Sequence, residues 1–167
     1  MRLRPYREDD GPATLEVFRR AVREAASRDY APDQIDAWAG AVTDAAGWAD
    51  RRRSRRTQVA EVGDRVVGFT DVDADGYVDM LFVHPDHVRQ GIGSALLEWA
   101  RTTAEGLGAH ELTTNASLTA RPVFEAHGFT VVAEQRPVVR GTALTNFRMR
   151  RPLGGSTSGA GTSEAGG

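Results

Sequence analysis

The chain of 167 residues predicts an α/β fold of the α+β kind, with helices layered on sheet. Three observations carry that expectation. Runs rich in β-branched and aromatic residues recur between turn residues, as in Val66-Val67-Gly68-Phe69-Thr70 and Tyr77-Val78-Asp79-Met80-Leu81-Phe82-Val83. Asp75-Gly76 stands between those two runs and is a strong two-residue hairpin signal, because glycine tolerates the positive φ of a type I′ turn. Further on, the stretch 91–106 sets Ile92, Ala95, Leu96, Trp99 and Ala100 on one stripe at helical spacing.

In chain order, a short strand is expected over 2–6. A helix over about 11–28 follows, with Leu15, Phe18, Val22 and Ala25 on one face. Pro32-Asp33-Gln34 opens a second helix, in which Ile35 and Trp38 lie one turn apart, and another short helix is expected near 44–52. Strands come next at 58–62, 66–72 and 77–83, then the helix of 91–106 and a strand at 111–114. Thr119 can cap a helix that holds Pro122 in its first turn and stops at His127-Gly128. Strands at 129–133, 136–140 and 144–149 complete the sheet, the last two as a hairpin about Gly141. One domain is expected over 1–153. The Gly/Ser-rich stretch 154–167 cannot bury apolar area to offset chain entropy and reads as a disordered tail.

Composition excludes several classes of function. Apolar residues make up 40% and the formal net charge is −2, as in an ordinary globular chain. No apolar run approaches the roughly 20 residues that span a bilayer. The opening Met1-Arg2-Leu3-Arg4-Pro5-Tyr6 has no signal-peptide core. No membrane partner and a cytoplasmic location are therefore expected. Cysteine is absent, which excludes disulfides, thiolate metal sites and a cysteine nucleophile. All 21 basic residues are arginine, so there is no lysine Schiff base and no phosphate-loop lysine.

Asp71, Asp73, Asp75 and Gly76 match the opening of an EF-hand calcium loop. The twelfth position of that loop needs a bidentate Glu, and Phe82 stands there. The flanks read as strands rather than helices. These aspartates are expected as turn and edge residues of a hairpin, and no metal is expected. His84, His87, His110 and His127 show no metal-ligand spacing. His84 could act as a base near a cofactor, although a surface position beside Pro85 is favoured. The basic run Arg51-Arg52-Arg53-Ser54-Arg55-Arg56 reads as a solvated helix end, and no nucleic-acid partner is expected.

The chemistry concentrates in 83–97. A strand ends at Val83, Pro85 breaks it, and a loop with Gly91 and Gly93 leads into the amphipathic helix. Free N–H groups and the positive dipole end at a helix start attract anions such as phosphate. Glycines there let the backbone come close to a ligand. A nucleotide P-loop needs Gly-Lys-Ser/Thr and is excluded for want of lysine. A dinucleotide fingerprint needs a third small residue where Leu96 stands. The pyrophosphate loop of a coenzyme A enzyme remains.

Val88-Arg89-Gln90-Gly91-Ile92-Gly93 resembles the Gln/Arg-x-x-Gly-x-Gly/Ala signature of the GNAT superfamily of acyl-CoA-dependent N-acetyltransferases, with Val88 departing at the first position. Ala120-Arg121-Pro122-Val123-Phe124-Glu125-Ala126-His127-Gly128-Phe129 resembles its second landmark, and the likeness runs over about 1–150. The resemblance implies a mixed, mostly antiparallel central sheet flanked by helices on both faces. It implies acetyl-CoA as acyl donor, with the backbone of Leu81, Phe82 and Val83 along the pantetheine arm. Arg89, Gln90, Gly91, Ile92, Gly93 and Ser94 would hold the pyrophosphate, with Ser117, Arg121 and Phe124 also against the cofactor. A local turn bond is an equal reading for Ser117.

Without cysteine, direct acetyl transfer to a primary amine in a ternary complex is expected. A backbone N–H near 81–83 would polarise the thioester carbonyl. Phe124 occupies the place of the family's frequent Tyr and cannot donate a proton, so Ser117 or water would serve the leaving thiolate. Asp79 lies two residues before Leu81 on one strand face, about 7 Å along it. It is the expected substrate anchor or general base, with Tyr77 on the same face assisting. Tyr30 and Trp38 would wall the amine pocket, and core packing is their competing reading. A small-molecule amine is the expected acceptor. The alternatives are a protein N-terminus or lysine, or a non-catalytic acyl-CoA-binding module. Edge or C-terminal strand pairing into a homodimer would suit such a sheet.

Overall fold

The computed structural model describes residues 1–154. The expected tail lies, from residue 155 onward, outside the described residues. Ten strands and five α-helices follow one another: β1 (Arg2–Pro5), α1 (Gly11–Arg20), α2 (Pro32–Ala39), α3 (Ala45–Ser54), β2 (Thr57–Val62), β3 (Arg65–Asp71), β4 (Tyr77–Val78), β5 (Leu81–Val83), α4 (Ile92–Gly106), β6 (Glu111–Ser117), α5 (Arg121–Ala126), β7 (Thr130–Gln135), β8 (Val138–Val139), β9 (Thr142–Ala143) and β10 (Asn146–Pro152). One four-stranded sheet has the order β1-β2-β3-β5. A second has the order β4-β6-β10-β7, and β8 pairs with β9 alone. All pairings are antiparallel except β4 with β6.

Helices cover both faces of the first sheet. On one face Phe18 of α1 and Trp48 of α3 pack with Val59, Phe69 and Phe82. On the other, Ile92 and Leu96 of α4 pack on Ala60 and Val67. A β-bulge between Ala60 and Glu61 admits the extra residue of β3. Gly68 lies at the closest approach of α4: a Cβ there would stand 3.0 Å from Ile92 Cγ2 and 3.3 Å from Leu96 Cδ1. A separate core of Leu97, Ala100, Leu112, Phe124, Phe129 and Met149 joins α4 and α5 to the second sheet.

The run 77–83 is not one strand. Its first two residues join the second sheet, and its last three join the first. Asp79 and Met80 form the break, and side chains pair with three of the backbone groups around it. Asp79 N–H donates to Asp71 Oδ1 at 3.0 Å, Thr70 Oγ1 donates to Met80 O at 2.7 Å, and Thr114 Oγ1 donates to Val78 O at 2.9 Å. Beyond the break the two sheets diverge, and β5 has no neighbour on its second edge among the described residues.

The turn before the break also differs from a plain two-residue hairpin. Asp73 Oδ1 accepts from Asp75 N–H and Tyr77 N–H, while Gly76 N–H donates to Asp73 O. Gly76 takes φ +86°, and a Cβ on it would meet Glu111 O at 2.0 Å. Among the described residues no three His, Asp or Glu groups are gathered as metal ligands.

Other elements depart from expectation in instructive ways. The helix of 11–28 ends as α at Arg20, then widens into a π-turn at Ala21–Ala25 and tightens into a 3₁₀ turn at Ala26–Arg28. Thr119 does not cap α5: its hydroxyl donates to Asp29 Oδ2 instead, and Ala120 is the N-cap residue. The hairpin about Gly141 is only β8–β9, and β10 leaves it to lie between β6 and β7.

Two charged residues thought to be solvated are closed to water. Arg52 and Asp71 have side chains 0% exposed, and Arg52 Nη1 donates to Asp71 Oδ2 at 2.6 Å. Arg55 Nε lies 3.2 Å from Asp71 Oδ1. Trp48 and Phe69 flank the Arg52 guanidinium at 5.0 and 6.0 Å. Removing one member leaves the other buried without its closest partner. Asp71→Ala should therefore cost about 3–5 kcal/mol in urea unfolding, with Asp71→Leu paired to Arg52→Met recovering much of the loss.

Candidate functional site

Where β5 and β6 part, a cleft of about 550 Å³ opens between the sheets. That volume suits an organic ligand of ordinary size. Its geometry starts from the register of β5. His84 N–H donates to Val67 O and Asp71 N–H to Met80 O, with Phe82 opposite Phe69. Antiparallel alternation then turns the peptide groups of Phe82 toward β3 and those of Leu81 and Val83 toward the open edge. The side chain of Phe82 packs edge-on against Phe18 at 5.1 Å between ring centroids.

Past Val83 the chain makes the loop into α4. Arg89 takes φ +61° and Gly91 φ +78°. Gly91 is the N-cap of α4, and a Cβ on it would meet nothing within 4 Å. Its glycine is thus accounted for by backbone conformation. Arg89, Gly91, Ile92, Gly93 and Ser94 line the cleft. Gln90 is exposed and does not line it. Arg121 is also outside the lining: it bridges to Glu125 at 2.6 Å and lies 4.5 Å over the Phe147 ring.

Ser117 and Phe124 both line the cleft. Ser117 Oγ accepts the Ala120 N–H at 3.0 Å, the local turn bond, which leaves its own O–H free to donate. Phe124 is buried and packs edge-on against Phe129 at 5.0 Å.

The opposite end is walled by α2, the π-turn and the β8–β9 hairpin. Tyr30 and Trp38 line it and also belong to the core, their rings 5.6 Å apart. Tyr30 Oη accepts Leu118 N–H at 2.9 Å and donates to Thr145 O at 2.5 Å, so one phenol ties the helical layer to β6 and β10. Burial pushes that phenol's pKa above its ordinary value. Gln34 Nε2 donates to Ala143 O at 3.0 Å, and Arg140 donates to Gly40 O. These bonds dock the hairpin on α2 and close this side of the cleft.

Asp79 lines the cleft with its side chain 35% exposed. It has company that sequence reasoning did not foresee. Arg52 Nη2 stands 3.6 Å from Asp79 Oδ2, and Arg55 Nε stands 4.0 Å from it. Tyr77 is behind the lining: its Oη is 3.5 Å from Asp79 Oδ1 and accepts from Asn115 Nδ2 at 3.2 Å. Burial, then the Asp79 charge, hold the Tyr77 phenol above its ordinary pKa. Asn115 and Asn146 line the cleft as well, and no motif announced either.

His84 is buried rather than on the surface. Its Nδ1 accepts from Asp86 N–H at 3.2 Å, and its Nε2 is 2.9 Å from Arg20 Nη1. Burial, then Arg20, lower its pKa.

A strand shared between two diverging sheets, beside a glycine loop that starts a helix, defines the GNAT class of acyltransferase fold. The chain matches the family described as the acetyltransferase (GNAT) domain over residues 26–151. It belongs to that family and is an acetyl-CoA-dependent acetyltransferase. It is 39% identical over 150 residues to YafP, an uncharacterized N-acetyltransferase of Escherichia coli, across 90% of this chain and 95% of the relative. A GCN5-related N-acetyltransferase of Rhodopseudomonas palustris superposes with a TM-score of 0.88 at 32% identity, covering 91% of this chain and 95% of that one. The PaiA N-acetyltransferase of Thermoplasma acidophilum, solved with coenzyme A, shares the fold at 17% identity and a TM-score of 0.72, over 90% of this chain and 98% of its own.

Tyr30→Phe tests the clasp. It leaves the part-buried Leu118 N–H and Thr145 carbonyl without their partner and should cost about 1–3 kcal/mol of stability by urea unfolding.

Proposed function

We propose that the protein acetylates a primary amine of a small molecule by direct transfer from acetyl-CoA. The observation that carries the acceptor class is the docked hairpin. With β8–β9 bonded to α2 through Gln34 and Arg140, the acceptor end is a walled chamber rather than an open groove for a peptide.

Acetyl-CoA supplies an activated acetyl thioester. The open edge of β5 fits its pantetheine arm, since the Leu81 and Val83 peptide groups face the gap. The loop through Arg89 and Gly91, with the free N–H groups that begin α4, fits its pyrophosphate. In this reading Leu81 N–H stabilises the negative charge that develops on the thioester oxygen. Asp79 attracts the cationic amine and takes its proton, directly or through water. Arg52 and Arg55 hold that carboxylate in position, and Tyr77 reaches it from behind. Ser117, whose O–H is free, or water gives a proton to the departing thiolate in place of Phe124. A thiol pKa near 8–9 makes that thiolate a tolerable leaving group unaided. The edge strand β7, with Val131 and Val132 exposed, is the element for pairing with a second copy in a homodimer.

Calorimetric titration should give micromolar acetyl-CoA binding. Asp79→Asn should keep that affinity while lowering turnover of amines by at least about tenfold, in the range of general-base effects. Wild-type turnover in Asp79→Asn would remove Asp79 from the chemistry, and no binding at millimolar acetyl-CoA would remove the enzymatic reading.

A further inference from the structure

Asn146 opens β10 at the acceptor end of the cleft. Its Oδ1 is buried and has no hydrogen-bond partner among the described residues. Buried polar atoms in folded proteins are nearly always paired, because an unpaired one forfeits its hydration without return. The orientation of Asn146 follows from the pairing of β10 with β6. Phe147 stands opposite Ala116, and both face the core beneath α4 and α5. Asn146, one residue earlier and opposite Ser117, faces the other way, as do Arg148 and Asn115.

None of the polar groups nearby is bonded to it. Tyr30 Oη is taken by Leu118 and Thr145, Asn115 Nδ2 meets Tyr77, and the Ser117 hydroxyl, which accepts from Ala120, makes no hydrogen bond to Asn146 Oδ1. The remaining walls of this end are apolar: Phe18, Trp38, Met80, Val139 and Leu144 line it. A turn of the carboxamide about its terminal torsion, which is soft in asparagine, brings that oxygen to the cleft surface, where the molecule that enters can donate to it. Asp79 is the sole carboxylate in the lining. An amine with one N–H on Asn146 and its cationic charge toward Asp79 would have its lone pair constrained once the proton leaves.

We propose that Asn146 is an acceptor-orienting residue: its carboxamide oxygen receives an N–H of the attacking amine, and the acceptor is an amine borne on an apolar body. This rests on the acetyl-transfer reading above. The proposal gives a stability-against-activity split that a structural asparagine would not show. Removing an unpaired buried oxygen relieves the folded state, whereas removing a substrate contact slows the reaction.

The experiment uses the full chain with acetyl-CoA and phenylethylamine as the probe amine, spermidine as the polar comparator, and Asn146→Leu and Asn146→Asp as variants. Asn146→Leu should keep or raise Tm, leave the KM for acetyl-CoA unchanged, and lower kcat/KM for phenylethylamine roughly tenfold to a hundredfold. Asn146→Asp keeps an oxygen acceptor and should lose less. Wild-type kcat/KM in the Leu variant would overturn the assignment. So would a Tm loss of several degrees that Asp restores, or a loss in Asp as deep as in Leu. Turnover of spermidine without phenylethylamine would overturn the apolar body alone. Bound acetyl-CoA with turnover of neither amine would instead sink the acetyl-transfer reading beneath it.

Discussion

Arg52 and Asp71 meet where water does not reach, and each is tolerable there because the other is present. The pair does more than join α3 to β3. Asp71 has two oxygens: one meets Arg52, and the other takes the Asp79 N–H at the point where the chain changes sheets. The same guanidinium then stands near the Asp79 carboxylate in the cleft. One buried contact thus sets the position of the helix layer, the break in the strand and the only acidic group in the cleft lining.

The break explains why a cleft exists at all. A strand that continued straight from Tyr77 to Val83 would have had its edge covered, and no peptide group would be left over. By passing from one sheet to the other at Asp79-Met80, the chain leaves Leu81 and Val83 facing an unfilled gap. Thr70, Thr114 and Asp71 pair with Met80 O, Val78 O and Asp79 N–H at the crossing itself.

Much of this was legible in the sequence, and the reasons for the rest are physical. The glycine-bearing loop into α4 was readable as a turn because its positive φ depends on local backbone freedom, which glycine advertises. The helix stripes and most strands were readable from period alone. The strand break was not, since all seven residues from Tyr77 to Val83 suit a pleated surface and the sheet change is decided by partners far along the chain. Arg52 was hidden inside a run of arginines, where composition argues for solvent and only tertiary contact selects the one that goes inside. The hairpin about Gly141 was visible as a turn, but its seat on α2 depends on Gln34 and the Gly40 carbonyl, far earlier in the chain. Asn146 belonged to no motif.

The seat of that hairpin separates two kinds of inheritance. The parts that would activate an acyl group lie on β5, the loop and α4, all tied to the buried core. The parts that bound the second chamber lie on α2 and on a two-stranded hairpin held by a few side chain-to-backbone bonds. Residues 136–144 can therefore drift, lengthen or shorten with little strain on the core. In relatives built on this plan, divergence in what is acetylated should concentrate in that short arc while the machinery of transfer stays recognisable.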